Sequence, residues 1–113
     1  MEERPWGAFT KFAENIPCTV KIITVHPHQE LSLQYHEHRD EFWYVISGSG
    51  IATVGTDIQE IKAGDSCTIG KKIVHRAKAH AEPLVFLEIA LGNFDENDIV
   101  RLEDNYGRVA ALQ

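Results

Sequence analysis

The sequence contains no apolar run approaching the roughly 20 residues that cross a bilayer. Its first ten residues, MEERPWGAFT, lack the basic-then-apolar order of a secretory signal. A cytoplasmic chain with no membrane partner is the expectation. Basic residues are in deficit: 11 Lys and Arg stand against 17 Asp and Glu, for a net charge of -6. No basic stripe remains for nucleic acid. The only two cysteines, Cys18 and Cys67, are far apart and lack CxxC spacing. They read as small buried residues or free thiols rather than as a zinc knuckle or disulfide framework. Repeats, low-complexity tracts and Pro/Gly/Ser linkers are also missing, so nothing marks a domain boundary. In 113 residues a second independent core would leave both halves too small, and one domain follows.

What the chain does have is a rhythm of short β-prone runs and turns. Residues 20–25 (VKIITV) alternate and stop at Pro27, and 31–38 alternate again before the Arg39-Asp40 corner. The aromatic run 41–47 ends at Gly48-Ser49-Gly50 and continues as 51–54, which reads as a series of hairpins. Further strands are predicted over 58–61, 66–69, 73–79 and 84–91. With no helical period between them, the pattern predicts an all-β sandwich or barrel. The stretch 95–103 (DENDIVRLE) suits either a turn of helix or an extended arm.

Ionisable residues concentrate in LSLQYHEHRDE and IVHRAKAH. Strand alternation places Gln34, His36 and His38 on one face, opposite Leu33, Tyr35 and Glu37. Such groups inside a small barrel are costly unless each is paired or bound to a cation. A metal ion resolves that cost, and the alternative is a solvated polar strand face. An antiparallel return across Arg39-Asp40 would bring Glu41 beside Gln34 and His36, giving three ligands from one hairpin. His75, after a glycine-containing turn, is the candidate for the fourth. Nitrogen and oxygen donors without cysteine suit an open site for Zn, Mn, Co, Fe or Ni rather than a closed structural zinc. The aromatic cluster Phe42, Trp43 and Tyr44 reads as packing, and His26, His28 and His80 as surface residues.

These residues resemble the cupin superfamily. Gln34-x-His36, four residues, Glu41, six residues, Gly48 fits its first motif, with Gln in place of the first histidine. That frame excludes His38, which becomes a pocket-wall residue. Gly64 through Gly70 to His75 fits the second motif without its proline. Four segments, RPWGAFTKF, VKIITVHPHQELSLQYHEHRDEFWYVISG, IVHR with PLVFLEIALG, and DENDIVRLEDNYGR, are similar to the cupin domain of type II mannose-6-phosphate isomerases. In that family this domain usually follows a sugar-nucleotide pyrophosphorylase domain, absent from this chain. The resemblance implies a double-stranded β-helix (jelly roll) over 1–113, comprising an N-terminal docking segment (1–17), a barrel core (18–92) and a C-terminal arm (93–113). It also implies one divalent metal held by Gln34, His36, Glu41 and His75. The sequence departs from the family at His28, Gly70, Ala79 and Ala90; the last two replace an Asn and a Gln, which removes polar pocket groups.

The implied reaction is aldose–ketose isomerisation of a sugar phosphate, mannose 6-phosphate to fructose 6-phosphate, through an enediolate that the metal stabilises as a Lewis acid. Glu88 and His38 are the candidate proton carriers, with Arg76 beside the metal histidine. For the phosphate, Arg76, Arg101 and Arg108 offer two-pronged donors, although Arg101 suits ion pairing of the arm equally well. Other readings are a metal- and sugar-binding module without turnover, and another cupin enzyme such as a dioxygenase. A homodimer is expected from the family likeness and from the need to cover strand edges.

Overall fold

The structure, a computed structural model, describes residues 1–95 and 97–107. These form strands and turns, with no helix long and apolar enough to cross a membrane. The strands are β1 (Glu2–Arg4), β2 (Gly7–Phe9), β3 (Cys18–Val25), β4 (Leu33–Tyr35), β5 (Arg39–Ser47), β6 (Ser49–Val54), β7 (Asp57–Lys62), β8 (Ser66–Ile69), β9 (His75–Ala79), β10 (Leu84–Gly92) and β11 (Val100–Glu103). They build a four-stranded sheet ordered β3-β10-β5-β8, a five-stranded sheet ordered β11-β4-β9-β6-β7, and a separate β1-β2 hairpin. Every pairing is antiparallel. The two larger sheets face each other as a jelly-roll barrel, the all-β cupin architecture.

Alternation decides what enters the barrel. From β10, Leu84, Phe86, Glu88 and Ala90 point in; from β5, Arg39, Glu41, Trp43 and Val45; from β9, His75, Ala77 and Ala79. One end of the interior is therefore apolar, with the Trp43 and Phe86 rings tilted against each other, centroids 4.6 Å apart, in a cluster with Val45, Leu84 and Ala79. The other end receives Arg39, Glu41, His75 and Glu88. Burying the apolar end supplies most of the folding free energy, at about 25 cal/mol per Å² of apolar surface. That stability holds the polar end in place.

Two expectations about pairing need correction. Residues 34–36 and 41 do not lie on one hairpin, because β4 belongs to the five-stranded sheet and β5 to the four-stranded one. The chain crosses between sheets at residues 36–38, before β5 opens at Arg39, so Glu41 approaches His36 across the barrel. Likewise β5 and β6 are split between sheets by Gly48, and the true hairpin is β6-β7, closed at Val54 and Asp57. Of the 95–103 stretch, the Asp98 N–H donates to Asp95 O in a turn and Val100–Glu103 form β11, which pairs with β4.

Gly48 permits the crossover between sheets. Its φ is +79°, and a Cβ there would lie 2.0 Å from the Pro83 carbonyl oxygen. Left-handed strain and overpacking each cost about 1–3 kcal/mol. Gly48→Ala should therefore lower unfolding stability by about 3 kcal/mol or more, seen as a lower urea midpoint at unchanged slope.

Candidate functional site

The polar end is assembled by register. In the five-stranded sheet Arg101, Gln34 and His75 lie in one row, since Arg101 pairs with Gln34 and Gln34 with His75. Facing them in the other sheet, Lys21, Glu88 and Trp43 form a second row, with Glu41 opposite Ala90 one pleat away. Between the rows lies a cavity of about 150 Å³ lined by all of these except Ala90, together with His36 and Arg39.

At its centre are His36, Glu41 and His75, all buried, whose ligand atoms lie within 4.8 Å of one another. Glu41 bridges the pair: Oε2 is 3.3 Å from His36 Nε2 and Oε1 is 3.5 Å from His75 Nε2. The outer ring nitrogens face carbonyl oxygens. His36 Nδ1 is 2.6 Å from Asp98 O, and His75 Nδ1 is 2.9 Å from Ile73 O. A carbonyl only accepts, so each Nδ1 donates its proton outward and each Nε2 is turned toward the centre. Burial, the largest cause, lowers the His75 pKa and keeps that imidazole neutral. Two imidazoles and a carboxylate are a donor set for a divalent ion, and buried Gln34 can add an amide oxygen.

Three neighbours tune this group. Trp43 Nε1 donates to Glu41 Oε1 at 3.2 Å, and the edge of its ring meets His75 at 5.6 Å between centroids. Trp43 thus serves the site as well as the core, while Tyr44 points outward and is 43% exposed. Arg39 Nε donates to Glu41 Oε2 at 3.0 Å and Nη2 to His36 Nε2 at 3.2 Å. Its guanidinium satisfies lone pairs that an ion would take over. Glu88 is 6% exposed. Burial first, then the Glu41 charge, raises its carboxyl from 4.5 to about 7, against the opposing pull of Arg39, Lys21 and a Trp43 hydrogen bond.

The C-terminal arm lines one side of the cavity. Ile99 and Arg101 line it, and Phe94 lies beneath both Lys21 and Arg39, at 4.4 and 4.5 Å from the ring centroid. Asp98 clasps the arm down: its carboxylate accepts from the N–H groups of Glu37 (2.9 Å) and His38 (3.0 Å). Partial burial pushes that carboxyl up, but these two N–H groups and the nearby histidines hold it below the usual range. Asp98→Ala should release the arm and the carbonyl that orients His36. Metal affinity should fall about 10- to 100-fold, read by competition with a chromophoric chelator, with little change in melting temperature.

Of the site residues read from sequence, Gln34, His36, Glu41, His75, Glu88 and Arg101 converge on the cavity. His38 does not. The strand ends at Tyr35, the two following N–H groups turn to Asp98, and the His38 side chain faces solvent outside the cavity. Arg76 does not either: next to inward His75 it points outward, where Nε donates to Leu31 O at 2.9 Å and Nη1 to Glu103 at 3.1 Å. It fastens β11. Arg108 lies outside the described residues. Arg39 and Lys21, which sequence reasoning left unassigned, do line the cavity; the inward phase of the strands containing Glu41 and Ile23 was the available signal. Arg101 Nε is buried without a hydrogen-bond partner among the described residues.

Comparison with known proteins agrees with this geometry. The chain is 41% identical over 107 residues to the Xanthan biosynthesis protein XanB of Xanthomonas campestris pv. campestris, covering 93% of this chain and 23% of that protein. It is 35% identical over 108 residues to the Mannose-1-phosphate guanylyltransferase ManC of Salmonella typhimurium, covering 94% and 22%. The chain thus spans less than a quarter of these relatives. Among solved structures, a double-stranded β-helix protein from Klebsiella pneumoniae superposes with a TM-score of 0.67 at 27% identity, over 82% of this chain and 81% of that one. A putative sugar phosphate isomerase from Acidithiobacillus ferrooxidans gives 0.61 at 26% identity, over 67% and 51%. Residues 2–104 match the family described as Mannose-6-phosphate isomerase C-terminal, and with this coverage, a cupin barrel and a His/Glu cluster at its polar end, the chain belongs to that family.

Proposed function

We propose that this chain is a metal-dependent aldose–ketose isomerase of a phosphorylated sugar, with mannose 6-phosphate and fructose 6-phosphate as the substrate pair. One observation carries the reading: a carboxyl raised to about 7, Glu88, shares a cavity with the His36/Glu41/His75 cluster. Isomerisation needs a group that takes a proton from one carbon and returns it to its neighbour, and a carboxyl near neutrality does both. A divalent ion held by His36, Glu41, His75 and Gln34 would supply Lewis-acid charge worth several kcal/mol in the transition state.

The remaining work falls to the chain. At about 150 Å³ the cavity is smaller than the 300–1,000 Å³ of pockets that bury larger ligands. It suits the reacting end of a sugar. The N–H of Arg101 Nε lacks an acceptor among the described residues, and a phosphate oxygen matches a guanidinium donor.

The test is coupled-assay turnover of mannose 6-phosphate by the metal-stripped chain reloaded separately with Zn, Mn, Co, Fe and Ni. Turnover that returns with one of these ions supports the reading; its absence with all of them, at full metal occupancy, overturns the substrate assignment. A second reading, a metal- and sugar-binding module without turnover, is favoured by Ala79 and Ala90, buried alanines where the family resemblance has Asn and Gln. The same assay separates the two.

A further inference from the structure

Strand β3 turns Thr19, Lys21, Ile23 and Val25 inward and Val20, Ile22 and Thr24 outward. Alternation thus sets a lysine in the barrel interior, where a charge is costly unless it meets a partner. Two partners meet it. Antiparallel register places Lys21 directly opposite Glu88, and the Cβ atoms of such pairs lie about 4.5–5.5 Å apart. The Lys21 Nζ also lies 4.4 Å from the centre of the Phe94 ring, within the range of a cation–π attraction. These contacts hold the ammonium head at the wall of the cavity that Glu88, His36, Glu41 and His75 also line. Its charge is felt there: burial and Glu41 raise the Glu88 carboxyl, and Arg39 and Lys21 pull it back.

Among the described residues, Lys21, Arg39 and Arg101 are the lysine and arginine cations lining the cavity, and their surroundings divide the labour. Arg39 donates to Glu41 Oε2 at 3.0 Å and to His36 Nε2 at 3.2 Å, which commits it to the ion-binding cluster. Arg101 lies in the other sheet, in register with Gln34, and its planar guanidinium matches a phosphate. Of the three, Lys21 is the one set directly against the proton carrier Glu88. An ammonium has three rotatable donors, so it can serve oxygens on two adjacent carbons at once.

We propose, resting on the isomerase reading above, that Lys21 is a catalytic residue whose ammonium holds the two reacting oxygens of the sugar and stabilises the negative charge that develops on them. The Glu88 carboxylate takes the proton from C2. The electrons of that C–H bond become the C1=C2 bond, and the carbonyl pair moves onto O1. A Lys21 N–H donates a hydrogen bond to O1 at this point and keeps its proton. The O2 hydroxyl proton passes to O1, a pair on O2 forms the new carbonyl at C2, and the C1=C2 pair takes the proton back from Glu88 at C1. Both side chains end as they began, and no oxidant or reductant is consumed.

Lys21→Met keeps the apolar stem of the side chain and removes its charge. In the metal-loaded chain it should lower kcat for mannose 6-phosphate about 10²- to 10³-fold, the effect of a lost oxyanion donor. KM should change by less than about 3-fold, as for an interaction made only in the transition state, and one ion per chain should still bind. Calorimetry supplies a readout apart from turnover. A phosphorylated aldonohydroxamate, whose adjacent oxygens carry enediolate-like charge, should bind the variant about 100-fold more weakly than the parent. The matching phosphorylated alditol, with neutral oxygens, should bind both equally. If Lys21→Met fails to fold, Lys21→Gln carries the same expectation. A parent chain inert with every ion overturns the isomerase reading and this proposal together. An active parent beside a variant that keeps near-parental kcat, loses the ion, or weakens for hydroxamate and alditol alike overturns the role of Lys21 and leaves the isomerase reading standing.

Discussion

Glu88→Gln lowers kcat for sugar-phosphate isomerisation by about 10³-fold, within the range of a lost general acid–base group, and leaves metal stoichiometry at one ion per chain. Glutamine keeps the size and hydrogen-bonding capacity of the side chain but cannot shuttle a proton. Glu88 lies on β10 between Lys21 and Trp43, lines the cavity, and is not one of the clustered metal ligands. A drop in kcat with retained metal would separate proton transfer from ion binding. The same substitution alters stability against pH in a fixed direction. The folded pKa of Glu88 is raised from 4.5 to about 7, so the folded state holds its proton longer than the unfolded one. The stabilisation is complete below 4.5 and lost as pH rises through 7. Metal-free Glu88→Gln should therefore lose less stability than the parent between pH 5 and 8, in paired urea titrations at the two pH values.

Glu41→Gln should have the largest effect on the metal. Its carboxylate stands between both histidine Nε2 atoms and also receives Arg39 and Trp43. Neutralising it removes a charged ligand, and affinity for a divalent ion should fall by well over 100-fold, since losing even an outer hydrogen-bond partner costs 10- to 100-fold. It also leaves the Arg39 guanidinium, 7% exposed, buried without its counter-ion. Breaking a buried pair costs about 3–5 kcal/mol, so the metal-free variant should melt at a distinctly lower temperature. Calorimetric titration and a thermal scan on the same preparation read both effects. A variant that kept parental affinity would remove Glu41 from the ligand set.

The strands were legible because alternation and turn residues are local signals. Trp43 and Phe86 inside, and Tyr44 and Ile22 outside, follow from phase alone. The same phase places Arg76 on the face away from His75. His38 escaped this logic because β4 stops after three residues and the backbone turns toward Asp98, 60 residues further along the chain. A local pattern carries no record of such a contact. Sheet partition was hidden for a similar reason: a polar turn between two strands reads alike whether the chain returns beside itself or crosses the barrel. The His36, Glu41 and His75 cluster was legible despite this, since inward phase and motif spacing suffice to bring those side chains together. Arg39 and Lys21 share the inward phase of Glu41 and Ile23, and register with β10 brings them to the cavity.

Calorimetric titration of the chelator-stripped chain with Mn, Co and Zn, followed by X-ray absorption of each loaded form, bears most directly on the centre of the site. One ion per chain, in a nitrogen- and oxygen-only shell showing imidazole scattering that is lost in His75→Ala, is the required result. A shell containing sulfur from Cys67, or equal binding by His75→Ala, would contradict a metal centre built on His36, Glu41 and His75.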